Sequence, residues 1–427
     1  MTKAPLTGLR RSLVLVALMI IGLALFVAWR FQTDIAQARV RVAHGSLNVA
    51  TPCGPIEYQE AGSGVPLLAV HGSGGGFDPG MAFAAPLTRR GIRVIAMSRF
   101  GYLRTPMRVN ASPAAQADAH VCLLDALGIR LAAVLGGSAG APSAIEMAIR
   151  HPDRTRALIL LVPLTYKPPN QAASAPAVPS WIESTMMSVI GSDFLFWSAL
   201  HVARNPMIGT VLATPPELVP FASASEQARV NAMLDTILPV AARAQGLRSD
   251  TAIGKHLAPA DLKSIRAPTL VISARDDRYG TFASARHTAT QIAGARFIGF
   301  ADGGHIWLGH DAEVMAAIMH LLKPTVANPA RGFRGWARNP GYVSGRSGAD
   351  GGAVISVRIA PAEDRGPPRA GTKHRALSCC RRSVGHRSIK RDQCEPAPST
   401  LRPARPASDR RHGRIARRDR RGAGLPE

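Results

Sequence analysis

Six short apolar runs punctuate the middle of the chain: Leu67–Val70, Arg93–Met97, Leu131–Leu135, Arg156–Val162, Thr269–Ser273 and Ala295–Phe300. Each is rich in Val, Ile, Leu or Ala, and most break into glycine or polar residues, which predicts buried strands ended by turns. Helix signals lie between them. Ser112-Pro113 predicts a helix start, with serine capping and proline in the first turn, and Gly128 is a suitable stop. The run Leu131–Leu135 passes through Gly136–Gly140 directly into Ala141–Arg150, a strand, a tight turn and a helix with nothing between them. From about residue 165 to 262 the strand series is interrupted. A stretch rich in Pro, Ala and Ser leads into apolar helices carrying Trp181, Met186, Met187, Phe194, Phe196 and Trp197, which are expected to form a lid packed on the core.

The two ends differ from this middle. Lys3, Arg10 and Arg11 precede an uncharged apolar run from Ser12 to Trp29. Eighteen residues at ~1.5 Å each reach about 27 Å, enough to cross a bilayer. Residues 1–30 are therefore expected to be a signal anchor. A signal peptide cleaved near Ala36-Gln37-Ala38, releasing a secreted protein, is the competing reading, although that site stands far from the apolar run. Either reading puts the folded domain outside the cytoplasm, in a bacterial periplasm. Charge changes the picture at the other end. The net charge is +24, and residues 325–427 hold 23 basic against 8 acidic residues, so +15 of it belongs to this tail. The tail is rich in Arg, Pro, Gly and Ser and lacks periodicity, so disorder is expected; a shifted reading frame would look the same. It carries no recognisable nucleic-acid module, and nucleic acid is not an expected partner. Five cysteines, Cys53, Cys122, Cys379, Cys380 and Cys394, are odd in number and irregular in spacing, and suggest neither a disulfide framework nor a zinc site.

The chemistry is concentrated at the ends of the strands. Gly136-Gly137-Ser138-Ala139-Gly140 has the form of a nucleophile elbow, a turn tight enough to need small residues two places either side of the serine. A serine hydroxyl needs a base, an acid that orients the base, and donors for an oxyanion. Asp276 and Asp277 follow the run Thr269–Ser273, and His305 follows two glycines after Ala295–Phe300. Upstream, His71-Gly72-Ser73-Gly74-Gly75-Gly76 is a loop able to present backbone N–H groups. The two oxyanion donors are assigned to the backbone N–H groups of Ser73 and Ala139.

Together these motifs, in this order, resemble the α/β-hydrolase superfamily over roughly residues 45–323. The resemblance implies an α/β fold with a mostly parallel, eight-stranded sheet flanked by helices, plus a variable helical lid. It also implies that the later carboxylate, Asp277, is the acid, with Ser138 as nucleophile and His305 as base. The alternative acid position after Arg156–Val162 offers no carboxylate, since the chain there reads Pro163-Leu164-Thr165-Tyr166-Lys167. His310, at the start of the last helix, is expected to cap it, and Asp302 to fix the loop. His71 is expected to hold the glycine loop, and His151 to sit at a helix end. The segment Ser98–Tyr102 resembles the family's tight loop bordering the active site.

The expected activity is hydrolysis of a carboxylic ester or related acyl compound through an acyl-enzyme. The substrate is expected to be small and hydrophobic, and neither a cofactor nor a metal is implied. Relatives acting on haloalkanes or epoxides carry aspartate where Ser138 stands. Cleavage of a carbon–carbon bond in an aromatic ring-cleavage product is the alternative within the enzyme class. A non-catalytic, membrane-anchored binding protein is the alternative outside it.

Overall fold

The computed structural model describes residues 6–168 and 191–323. The expected basic tail, and the lid residues Trp181, Met186 and Met187, lie outside the described residues.

The central sheet has eight strands: β1 (Leu47–Thr51), β2 (Gly54–Ala61), β3 (Val65–Val70), β4 (Ile92–Met97), β5 (Ala132–Gly137), β6 (Thr155–Leu161), β7 (Thr269–Ala274) and β8 (Arg296–Phe300). Their order is β1-β2-β4-β3-β5-β6-β7-β8. Only β2 runs antiparallel to its neighbours, and β3 through β8 are parallel. Successive residues of a strand face opposite sides of a sheet, so a sheet covered on both faces needs continuous apolar runs. Leu68 and Val70 thus point into one core with Ile95, Val134, Leu158 and Val271. Helices α3 (Pro113–Ala126), α4 (Ala141–Arg150) and α9 (Phe282–Gln291) cover that face. Leu67 and Ala69 point into the other core with Val94, Leu135, Ile159 and Ile272, beneath α2 (Phe77–Thr88) and α10 (Asp311–Leu322). Ser112 caps α3 as its sequence suggests, accepting a hydrogen bond from the N–H of Ala115.

Between β6 and β7 lie α5 (Asp193–Val202), α6 (Arg204–Thr210), α7 (Ala224–Thr236) and α8 (Ala244–Lys255). Phe196, Trp197, Val230, Leu234 and Ile237 form a third core there. Four further members come from far away in sequence. Ile306 and Leu308 follow β8, while Ile35 and Ala38 belong to the N-terminal helix α1 (Leu6–His44). The apolar first part of α1 is exposed, whereas Ile35 is 1% exposed. Asp34 accepts a hydrogen bond from Trp197 Nε1 at 3.0 Å, and Arg41 donates to the carbonyl of Leu238 at 2.5 Å. The aromatic residues Phe196 and Trp197 therefore pack within the lid and on α1.

Cys53 and Cys122 form a disulfide. This corrects the reading that the cysteines carry no framework. Sixty-nine residues separate them in sequence, and only the packing of α3 beside the β1–β2 turn brings them together.

Two histidines are buried in uncharged form. His120 Nε2 lies 3.0 Å from Ser143 Oγ, which donates to the carbonyl of Gly140. Burial, helped by the charge of Arg99, pushes the His120 pKa down to about 3. Burial and the same arginine hold His71 well below its ordinary value. Below pH 6.5 the unfolded chain takes up a proton at each position that the native protein refuses. Stability contributed by these groups is complete above pH 6.5 and is lost as the pH falls below it. For His120 the linkage slope is about 1.4 kcal/mol per pH unit between 6.5 and 3. Urea unfolding of the full-length protein at a series of pH values is expected to show this loss, with a shallower slope for His120→Gln. An unchanged slope in that variant would show that His120 titrates normally.

Candidate active site

The parallel strands deliver their carboxyl ends to one edge of the sheet, where ligand sites of open α/β sheets form. At the end of β5 the chain makes a single 3₁₀ turn, Ser138–Gly140, before α4. Ser138 sits in the left-handed region at φ 48°, a conformation that costs a non-glycine residue about 1 kcal/mol or more. Its neighbours explain how the turn fits. A Cβ on Gly136 would lie 2.8 Å from Ala141 Cα, and one on Gly140 would lie 2.5 Å from the carbonyl oxygen of Val70. Glycine at both positions is a steric requirement. The Ser138 hydroxyl makes no hydrogen bond among the described residues, and none joins it to His305. Such contacts are often long in unliganded enzymes and tighten with substrate.

Asp277 follows β7 and is buried. One carboxylate oxygen accepts from the N–H of Tyr279 at 2.9 Å. The other accepts from the Thr281 hydroxyl, and from Nδ1 of His305 at 2.9 Å. Burial raises the Asp277 pKa, but the hydrogen bond and charge of His305, aided by the Thr281 and Tyr279 donors, outweigh it and leave the carboxyl below its ordinary value. With Nδ1–H committed to a carboxylate, Nε2 of His305 is the free acceptor. Tyr279 packs edge-on to the imidazole, with ring centres 4.8 Å apart.

Asp276 has a different task. Its two oxygens accept from the N–H groups of Gly303 (3.1 Å) and Gly304 (2.8 Å). Of two adjacent carboxylates, one holds the histidine ring and the other holds its loop. Gly304 adopts φ 60°, and a Cβ there would lie 2.4 Å from Thr214 Oγ1. His310 stands at the start of α10 without a side-chain capping bond. Instead its Nε2 pairs with Asp302 at 3.0 Å, so these two residues brace the far side of the same loop. His151 ends α4 and pairs with Asp118 at 2.7 Å.

The glycine loop after β3 lies against the elbow. A Cβ on Gly72 would come within 2.9 Å of Ser138 Cβ. His71 holds the loop from inside. Its Nε2 accepts from the N–H of Arg99 at 3.0 Å, so its Nδ1 carries the proton and donates to the carbonyl of Gly72 at 2.7 Å. The N–H of Ser73 has no hydrogen-bond acceptor among the described residues. Ala139, inside the first turn of its 3₁₀ helix, has an N–H that precedes any acceptor in that helix.

Sequence reasoning missed the polar residues behind this loop. Arg99 lies in the segment noted as a border of the site, but nothing marked Asp250 on α8, with which it forms a buried ion pair at 2.6 Å. Arg243, fully buried, pairs with Asp78 at 2.7 Å. A cavity of about 690 Å³ lies elsewhere, lined by residues such as Ile145, Glu146, Tyr166 and Leu257. Neither Ser138, Asp277 nor His305 lines it, so it is not the space above the serine.

The family model of the α/β hydrolase fold matches residues 65–309. An uncharacterized hydrolase, YcgS, of Bacillus subtilis (strain 168) is 26% identical over 284 residues, which cover 62% of this chain and 94% of the relative. A 2-hydroxymuconate semialdehyde hydrolase of Pseudomonas putida is 40% identical over 108 residues, covering 24% of this chain and only 37% of that enzyme. Among solved structures, an alpha/beta hydrolase fold protein from Nakamurella multipartita is 27% identical, with a TM-score of 0.48, covering 65% of this chain and 98% of its own.

The glycines of the elbow differ in what they tolerate. Gly140→Ala forces a Cβ against two backbone carbonyls, and is expected to cost at least about 2 kcal/mol. Gly137→Ala meets nothing nearer than 3.8 Å and is expected to stay within about 1 kcal/mol of the parent. Urea unfolding of the two variants checks the contrast, and equal losses would refute it.

Proposed function

The chain belongs to the α/β-hydrolase fold family, and from that premise we propose that it is a serine hydrolase acting on a carboxylic ester or related acyl compound. The observation that carries the reading is the buried Asp277–His305 hydrogen bond, which leaves Nε2 of His305 free at the sheet edge where Ser138 is raised on its turn. In the proposed reaction Ser138 Oγ attacks the acyl carbon while His305 Nε2 takes its proton. Asp277 keeps the imidazole in the required tautomer and stabilises its charged form. The N–H groups of Ser73 and Ala139 receive the oxyanion. His305 returns the proton to the leaving alcohol, then activates a water that releases the acid and frees Ser138.

A second reading is favoured by the local 40% identity to a 2-hydroxymuconate semialdehyde hydrolase. Cleavage of a carbon–carbon bond in a ring-cleavage product would use the same residues on a different substrate. Turnover of a dienoate ring-cleavage substrate without turnover of a p-nitrophenyl ester would select it.

We further propose that α1 is retained as a membrane anchor and that the folded domain is extracytoplasmic. Processing after Ala38 would strip Ile35 from the lid core, a loss of about 2 kcal/mol, and would leave Trp197 Nε1 without Asp34. The Cys53–Cys122 disulfide supports an oxidising compartment.

Labelling with a fluorophosphonate probe is expected for the full chain and not for Ser138→Ala or His305→Ala. If Ser138→Ala still labels, the nucleophile is misassigned. Asp277→Asn is expected to lower kcat for a p-nitrophenyl ester about 10⁴-fold by imposing the wrong tautomer. Asp276→Asn, which only loosens the loop, is expected to cost no more than ~10²-fold. Peptide mapping of the membrane fraction tests the anchor. It is expected to recover the peptide containing Ile35 in the mature protein, and Cys53 and Cys122 unalkylated until reductant is added. A mature chain beginning at Arg39 would overturn the anchor.

A further inference from the structure

The lid reaches the glycine loop through one buried carboxylate. Asp250, on α8, accepts from Arg99 Nη1 at 2.7 Å and Nη2 at 2.6 Å, from the Tyr102 hydroxyl at 2.5 Å and from the Ser73 hydroxyl at 3.0 Å. Its side chain is 4% exposed. Each of these partners also touches the loop backbone or belongs to it. Arg99 donates to the carbonyls of His71 (2.9 Å) and Gly72 (3.2 Å), and the Tyr102 hydroxyl accepts from the N–H of Gly74 at 3.3 Å.

The Gly72 carbonyl and the Ser73 N–H belong to the same peptide group. That group is planar and trans, so fixing the direction of the carbonyl fixes the N–H in the opposite direction. Arg99 and His71 grip the Gly72 oxygen, Gly75 N–H closes a turn on it at 3.2 Å, and the N–H of Ser73 is left pointing away from all three. Arg99 in turn owes its orientation to the two-oxygen grip of Asp250, which is geometrically specific for a planar guanidinium.

We propose that Asp250 is a positioning residue: acting through Arg99 and Tyr102, it sets the plane of the Gly72–Ser73 peptide, so that docking of the lid and assembly of the oxyanion site are one event. The inference rests on the reading of Ser73 N–H as an oxyanion donor. It predicts a loss in the transition state with little change in ground-state binding, because an oxyanion exists only in the former.

The test measures p-nitrophenyl butyrate hydrolysis by the full-length, detergent-solubilised chain, with thermal unfolding of every variant. Removing one partner alone would strand a buried charge, so both are replaced together in Arg99→Met/Asp250→Leu. This double variant is expected to unfold near the parent temperature, with kcat reduced about 10²-fold and KM within about threefold. Tyr102→Phe, measured in parallel, removes only the hydroxyl between Asp250 and Gly74; a loss of about tenfold in kcat is expected. If Tyr102→Phe keeps the parent's kcat, or the folded double variant does, Asp250 is a staple without influence on the reaction. A rise in KM at constant kcat overturns the inference equally. Ser138→Ala separates the two levels: residual turnover in that variant removes the reading beneath, while its loss beside a fully active double variant removes this inference alone.

Discussion

The contact on which the site depends is the approach of Gly140 to the carbonyls of Val70 and His71, where a Cβ would meet oxygen at 2.5 and 2.6 Å. It draws the first turn after β5 against the end of β3. Because of that contact Gly72 lies beside Ser138, and a loop from one strand can serve a side chain from another. It also explains why the strained φ of Ser138 persists. The turn is gripped by α4 on one side, by the β3 end on the other, and by the Leu164 N–H, which donates to the Ser138 carbonyl at 3.0 Å.

Around this contact the polar residues divide the work of holding the loops. Asp276 holds the loop of His305 while Asp277 holds its ring. His71, neutral because it is buried near Arg99, holds the glycine loop by one nitrogen and is itself held by the other. His120 and Ser143 support the Gly140 carbonyl from behind. A histidine in either place gains nothing from being charged, and both resist protonation. The two lid ion pairs, Arg99–Asp250 and Arg243–Asp78, carry full charge into the interior, where desolvation offsets much of their attraction. Their return is geometric: each arginine also holds loop carbonyls, those of His71 and Gly72 for Arg99 and that of Gly75 for Arg243.

The lid is consequently a shared element. Its own core takes Ile35 and Ala38 from α1 on one side and Ile306 and Leu308 from the histidine loop on the other. Arg41 extends the same link, since it reaches both the Leu238 carbonyl and, at 3.9 Å, the carboxylate of Asp78. A helix that reads in sequence as a membrane segment is in this way joined to the loop beside the elbow. Truncations of the N-terminal helix should therefore keep residues 31–44, because these support the lid.

The chain by itself determined whatever depends on neighbours a few residues apart. The buried strands follow from continuous apolar runs, the start of α3 from a capping serine before proline, and the elbow from small residues placed where a bulky one would collide. The order of Ser138, Asp277 and His305 was legible because each follows a strand end, and parallel strands bring their carboxyl ends to one edge. What only the tertiary structure decided were pairings between single polar residues of distant segments: Arg99 with Asp250, Arg243 with Asp78, Cys53 with Cys122, and Asp34 with Trp197. A lone aspartate on a lid helix looks like any solvated charge until packing excludes water from it. The division of labour between Asp276 and Asp277 was likewise decided by the backbone turn after β7, which aims one carboxylate at a ring and its neighbour at two amides. The physical reason is range: steric and periodic constraints act locally and leave a pattern in sequence, whereas a buried charge finds its partner only when the fold brings the two together.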